Sequence, residues 1–388
     1  MSTNDFMKKI TILSISILCM CAPSVSATIP AMVQTLRTQS QASIELLMSI
    51  PNFGILLFVF LSPVIHRYLK DKKTVCIGVF VTLVSGLVPV FTKNYTILLL
   101  SRFLLGCGVG MFNSLAYSLI TIYYDGEERT RLLGLQGAVS AVASTVMSLC
   151  VGFLLQFGWQ ASYFVYLIAL IPLILFLLFF KDQKNSVAVT KQKQSITIHK
   201  TVYIYSMYMF VMFTCFMVVA FKLASVFVEK GYATAAQASM LSAVSSAIGF
   251  ISGLLFVKVY GVLKHNTLPI SMMVLGFCLL GIYFSDSFIL SSICVIVSGL
   301  FSGFINPCVF GEVARVSNTA SQTAASTCLL VGINLGCFLN PSIFGVISNI
   351  FQNDTVAFSF LVAGGLILCI GLGHLCISLL RKTEKVYS

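Results

Sequence analysis

Two positive charges stand where hydrocarbon should surround them: Arg102 in the fourth of twelve apolar stretches and Lys222 in the seventh. A cation at membrane depth is costly unless it faces a partner or a wet cavity, so both mark a path through the bilayer. Gly106 and Gly110 follow Arg102 at helical spacing and let a neighbouring helix approach closely on that face. Lys222 lies in the outer third of its span, where it either extends its ammonium to the interface or serves an anionic group or an external gate. Glu229 is two helical turns further along the same face. Candidates for proton chemistry are few. No carboxylate falls in the middle of a predicted span, which leaves Glu45 at the mouth of the second and Glu312 at the inner end of the tenth. His66 and His374 are the titratable alternatives, His374 reading as a hydrogen-bonded packing residue of the twelfth span.

Uncharged polar side chains in lipid-length runs mark cavity faces. The set is Asn52 in the second span, Asn113 and Tyr117 in the fourth, Gln136 and Ser140 in the fifth, Asn306 in the tenth, and Asn334 and Asn340 in the eleventh. The other reading of each asparagine is a helix-to-helix hydrogen bond. Asn113 and Tyr117, four apart, share a face. Pro23 and Pro30 in the first span, Pro51, Pro307 and Pro341 remove helical hydrogen bonds and offer bends that suit a gate.

The elements that must carry these residues are membrane spans. Hydrophobic residues make up 58% of 388 and charged residues 9%, with a mean hydropathy of +0.97, far from soluble domains. Runs long enough to cross hydrocarbon fall near 10–34, 44–65, 74–92, 95–122, 131–157 and 161–180, then near 202–228, 235–258, 267–285, 288–311, 322–350 and 356–380. The polar gap 181–200 reads as a solvated linker between an N-terminal six-helix bundle, 1–180, and a C-terminal one, 201–388. A constant shift of 193 lays Gly106 on Gly299, Gly110 on Gly303, Asn113 on Asn306 and Gly152 on Gly345, as parallel repeats do. With the N-terminus inside, nineteen lysines and arginines fall on the cytoplasmic side and three outside, so both termini are expected in the cytoplasm. That asymmetry accounts for the net charge of +12, and no nucleic-acid partner is expected. The basic flank, apolar core and Val25-Ser26-Ala27 patch of the N-terminus also fit a secretory signal, but its removal would break the repeat. Thirteen cysteines, without a Cys-x-x-Cys pair, read as small apolar residues and not as metal ligands.

Three local features resemble the major facilitator superfamily. Arg102 with Gly106 and Gly110 looks like its fourth-helix motif, in which the arginine is implicated in coupling in proton-driven exporters. Ser62-Pro63-Val64-Ile65-His66-Arg67-Tyr68-Leu69-Lys70-Asp71-Lys72-Lys73 occupies the place of its Gly-x-x-x-Asp-Arg-x-Gly-Arg-Arg loop, with Arg67, Lys70 and the basic run retained and His66 where the aspartate belongs. The stretch 125–131 is similar to the charged segment between its fourth and fifth helices. The fifth span has no proline, so the Gly-Pro motif of drug antiporters is missing.

The resemblance implies an all-α membrane protein of twelve helices in two pseudo-symmetric bundles, alternating access around a central site, and a small-molecule substrate. The expected activity is proton-coupled efflux of drug-like or metabolite compounds, with proton-coupled import or facilitation of a nutrient or anionic metabolite as the alternative. A non-transporting sensor or scaffold is the reading from another class. No nucleotide loop, metal cluster or nucleophile elbow is visible in the sequence, so no cofactor is expected and the energy must come from a gradient such as that of protons. A monomer in contact with lipids of the plasma membrane is expected.

Overall fold

The computed structural model describes residues 3–19, 21–180, 199–317 and 321–387. The chain divides into two compact units, Met1–Gln194 and Ser195–Ser388; the expected linker, apart from His199 and Lys200, lies outside the described residues. Each unit is built of helices, since a chain surrounded by hydrocarbon must bond its backbone internally.

The first unit contains α1 (Thr3–Ser14), α2 (Ile29–Thr35), α3 (Gln41–Tyr68), α4 (Asp71–Phe91), α5 (Tyr95–Tyr123), α6 (Gly126–Leu154) and α7 (Leu170–Phe179). Side-chain oxygens cap two of them. Ser40 accepts from the Ser43 amide at the start of α3, and Asn94 accepts from Thr96 and Ile97 at the start of α5. The second unit contains α8 (Lys200–Glu229), α9 (Ala235–Leu263), α10 (Thr267–Phe284), α11 (Phe288–Val316), α12 (Gln322–Phe351) and α13 (Phe358–Tyr387). Thr234 and Gln237 form a capping box ahead of α9.

Among the described residues, eleven helical stretches are long and apolar enough to span a membrane, and α9, bent by 44° between Gly249 and Ile251, brings the number to twelve. The bend has no proline. It lies where α9 meets Gly303 of α11, whose missing side chain admits Ser252 and leaves the Gly249 carbonyl 3.2 Å from where a Cβ would stand.

The first span departs from the single helix expected over 10–34. It breaks into α1, short 3₁₀ segments at Ile15–Leu18 and Pro23–Thr28, and α2. Pro23 and Pro30 each stand in the first turn of a new segment, where a missing N–H is tolerated but a preceding helix cannot continue through it. The sixth span is also composite: a nine-residue 3₁₀ stretch, Ala161–Ala169, precedes α7. In a 3₁₀ helix residues three apart eclipse, which stacks Tyr163, Tyr166 and Ala169 in one fully buried column.

The glycines related by the 193-residue shift occupy matching contacts. Gly106 and Gly110 of α5 lie on α3, against the Pro51 backbone and Ile55. Gly299 and Gly303 of α11 lie on α9, against Ser245 and Gly249.

Candidate functional site

Arg102 is buried to 1% exposure. Its Nη1 donates to the Tyr166 hydroxyl at 3.0 Å, and its Nη2 to the carbonyls of Gly86 and Ser85 at 3.2 and 3.4 Å. The guanidinium carbon lies 4.8 Å from the Tyr163 ring centroid and 5.0 Å from that of Tyr166, so both faces of the eclipsed column act on it as cation–π partners. Tyr166 in turn donates to the Cys21 carbonyl at 3.3 Å. Gly86 makes this possible, because a Cβ there would press 2.8 Å from Cβ of Tyr166. The buried cation is thus met by neutral oxygens and aromatic faces; no carboxylate pairs with it among the described residues. It ties α4, the Ala161–Ala169 segment and the broken first span into one cluster.

The break is held at a second point. Ser140 of α6 donates to the Ser16 carbonyl at 3.0 Å, an acceptor at the first 3₁₀ segment. One turn earlier on the same face of α6, Gln136 is buried to 2% exposure, and neither end of its amide meets a hydrogen-bonding group among the described residues. The Ser16 hydroxyl, fully buried, is in the same condition.

Glu45, placed by the sequence at the mouth of the second span, lies in the second turn of α3 and is fully buried, with Gln41 Nε2 donating to it at 3.0 Å. Glu312 is half-buried near the end of α11, 3.8 Å from the Arg315 guanidinium. Lys222 is buried in α8 at 7% exposure. Glu229 accepts from the backbone amides of Val356 and Ala357 at 3.2 and 3.3 Å, just ahead of α13.

The neutral polar residues make local contacts within each unit. Asn52 and Asn334 donate to carbonyls of their own helices, Ser49 and Leu330. Asn340, fully buried, donates to the Thr214 carbonyl at 2.6 Å and so links α12 to α8. Asn113 is half-buried, while Asn306 and Tyr117 are exposed on α11 and α5. Lys70 is exposed at the N-cap of α4. The backbone of His66 and Arg67 forms the last turn of α3; their side chains lie outside the described residues. His374 meets the Tyr208 ring edge-on at 6.3 Å, consistent with packing.

Sequence reasoning missed Tyr163 and Tyr166. A usable signal was present: two tyrosines three apart near the start of a span, in a unit that must satisfy a buried arginine. It also missed Lys230, whose ammonium donates to the carbonyls of Tyr283 and Ser285 at 2.6 Å and closes the end of α10.

A family model described as Major Facilitator Superfamily matches residues 12–266. A Protein TsgA homolog of Buchnera aphidicola subsp. Baizongia pistaciae is 25% identical over 127 residues, an alignment spanning 33% of each chain. Among solved structures, a point mutant of the nucleoside transporter NupG superposes with a TM-score of 0.74 at 16% identity, covering 95% of this chain and 99% of that one. A D-xylose-proton symporter superposes with a TM-score of 0.73 at 14% identity, covering 96% and 97%. These likenesses give the all-helical fold of the two solved transporters. With residues 12–266 matched, the chain belongs to the Major Facilitator Superfamily, whose members are secondary transporters and not enzymes.

Proposed function

We propose that this chain couples movement of a small organic solute to a proton gradient by alternating access, with Glu45 as the proton-accepting group. The observation that carries the reading is the burial of Glu45, the one carboxylate fully removed from solvent among the described residues. A carboxylate closed off in one conformation and wetted in another exchanges a proton between them, and a carrier needs such a group.

The efflux reading rested on Arg102 as a coupling residue. Its three bonds to neutral acceptors support a role in building the first unit instead. Uptake together with protons is therefore the direction we adopt. The D-xylose-proton symporter of shared fold is in keeping with it. The basic residues, gathered at one end of the spans in the sequence, favour a plasma-membrane orientation with both termini cytoplasmic.

Purified protein in proteoliposomes with an imposed pH gradient, offered neutral, anionic and cationic radiolabelled solutes, tests this. Accumulation that follows the gradient, is lost in Glu45→Gln, and survives in that variant as solute exchange without a gradient is the expected result. Accumulation by Glu45→Gln at the wild-type level would overturn the assignment. Loading that runs against inward proton flow would restore efflux. No movement of any solute would favour the sensor reading.

A further inference from the structure

We propose that Gln136 and Ser16, beside the break in the first span, form a recognition site for an uncharged solute that presents a hydrogen-bond donor and acceptor side by side. The proposal rests on the transport reading above and names the substrate class it lacks.

Buried polar atoms in folded proteins are nearly always paired. Three of the exceptions belong to two residues of the first unit. Both ends of the Gln136 amide and the Ser16 hydroxyl are buried without a hydrogen-bonding group of the protein. Gln136 and Ser140 are four apart, hence on one face of α6, and the Ser140–Ser16 hydrogen bond sets that face against the first 3₁₀ segment. Gln136 and the Ser16 backbone therefore belong to one strip of the α6–first-span contact, at a place where the helix is interrupted. Interrupted membrane helices are where solute sites are built, because freed backbone groups and loosened packing admit a ligand.

The described residues of the first unit bring no buried charge to this strip. Three charged side chains are buried among the described residues: Glu45, Arg102 and Lys222. The two in the first unit lie elsewhere: Glu45 is on α3 with Gln41, and Arg102 reaches only the far end of the break, through Tyr166 to Cys21. Lys9, on α1, is paired with Glu128 at the start of α6. An ion placed at Gln136 would be desolvated without a countercharge from the described residues of the first unit. A carboxamide offers one acceptor and two donors in a plane, and a hydroxyl does both. Their complement is an amide or imide edge, or neighbouring hydroxyls.

The test uses the full chain in proteoliposomes with four probes: uridine and D-xylose as neutral, gluconate and tetraphenylphosphonium as charged. Uptake of a neutral probe is expected. Gln136→Leu is expected to raise its KM about tenfold or more, and Ser16→Ala several-fold, as when a site built for hydrogen bonds loses one. Thermal melting of each variant in detergent reports folding separately. Gln136→Leu that melts no lower than wild type and carries the neutral probe unchanged would overturn the proposal, leaving that amide with buried water only. If only a charged probe moves under the proton gradient, this inference falls while the transport reading stands. If none of the four moves, both fall.

Discussion

Arg102 and Tyr166 share a hydrogen bond of 3.0 Å, and through it the guanidinium reaches the backbone of the broken first span, because the same hydroxyl donates to the Cys21 carbonyl. One oxygen thus serves a helix of the fourth span, a 3₁₀ segment of the sixth and the first span together. Removing that oxygen takes an acceptor from the buried guanidinium and a donor from the Cys21 carbonyl.

Tyr166→Phe keeps the ring and its cation–π contact but strips the hydroxyl, so it is expected to destabilise the first unit by about 1–3 kcal/mol, the range for an unsatisfied buried polar group. Arg102→Lys keeps the charge but not the planar fork that meets Tyr166, Gly86 and Ser85 together, and is expected to melt at least as low. Detergent melting curves check both. If Arg102→Lys melts like wild type yet uncouples proton and solute movement, the arginine belongs to the coupling machinery and not to the frame.

The spans were legible in the sequence because a lipid-length apolar run has few alternatives to a helix. Arg102 stood out for the same reason: a charge there has to be explained. Its partners did not stand out. Backbone carbonyls of Ser85 and Gly86 carry no sequence signature, and it is the 3₁₀ geometry of that stretch that brings Tyr163 and Tyr166 into one eclipsed line; on an α-helix they would be offset by about 60°. Pro23 and Pro30 announced a bend, but the full break is also met by Ser140 and Tyr166, which arrive from other helices and donate to the carbonyls of Ser16 and Cys21. Glu45 was placed correctly along the chain, while its burial depends on neighbours that sequence order does not reveal.

The repeat-related glycines should differ in sensitivity. A Cβ on Gly106 meets the backbone of Pro51, which cannot move without shifting α3. The nearest atom to a Cβ on Gly299 is the Ser245 hydroxyl, which can rotate away. Gly106→Ala is expected to cost about 1–3 kcal/mol, as overpacked cores do, and Gly299→Ala clearly less. Equal melting temperatures for the two variants would show that α3 and α5 have slack that these distances do not suggest.

Glu229 and Lys222 are expected to be energetically independent. Spacing alone put them on one face of α8, two turns apart, but the carboxylate is occupied by the Val356 and Ala357 amides, as a capping side chain is. Glu229→Ala should therefore lower stability by about 0.5–2 kcal/mol, the usual effect of losing a cap, whatever stands at position 222. In a cycle with Lys222→Met, the two changes should add to within about 0.5 kcal/mol, the tolerance for residues that share no partner. A coupling well above that would mean that the ammonium draws the carboxylate away from α13, and the α12–α13 connection would then be held by something other than Glu229.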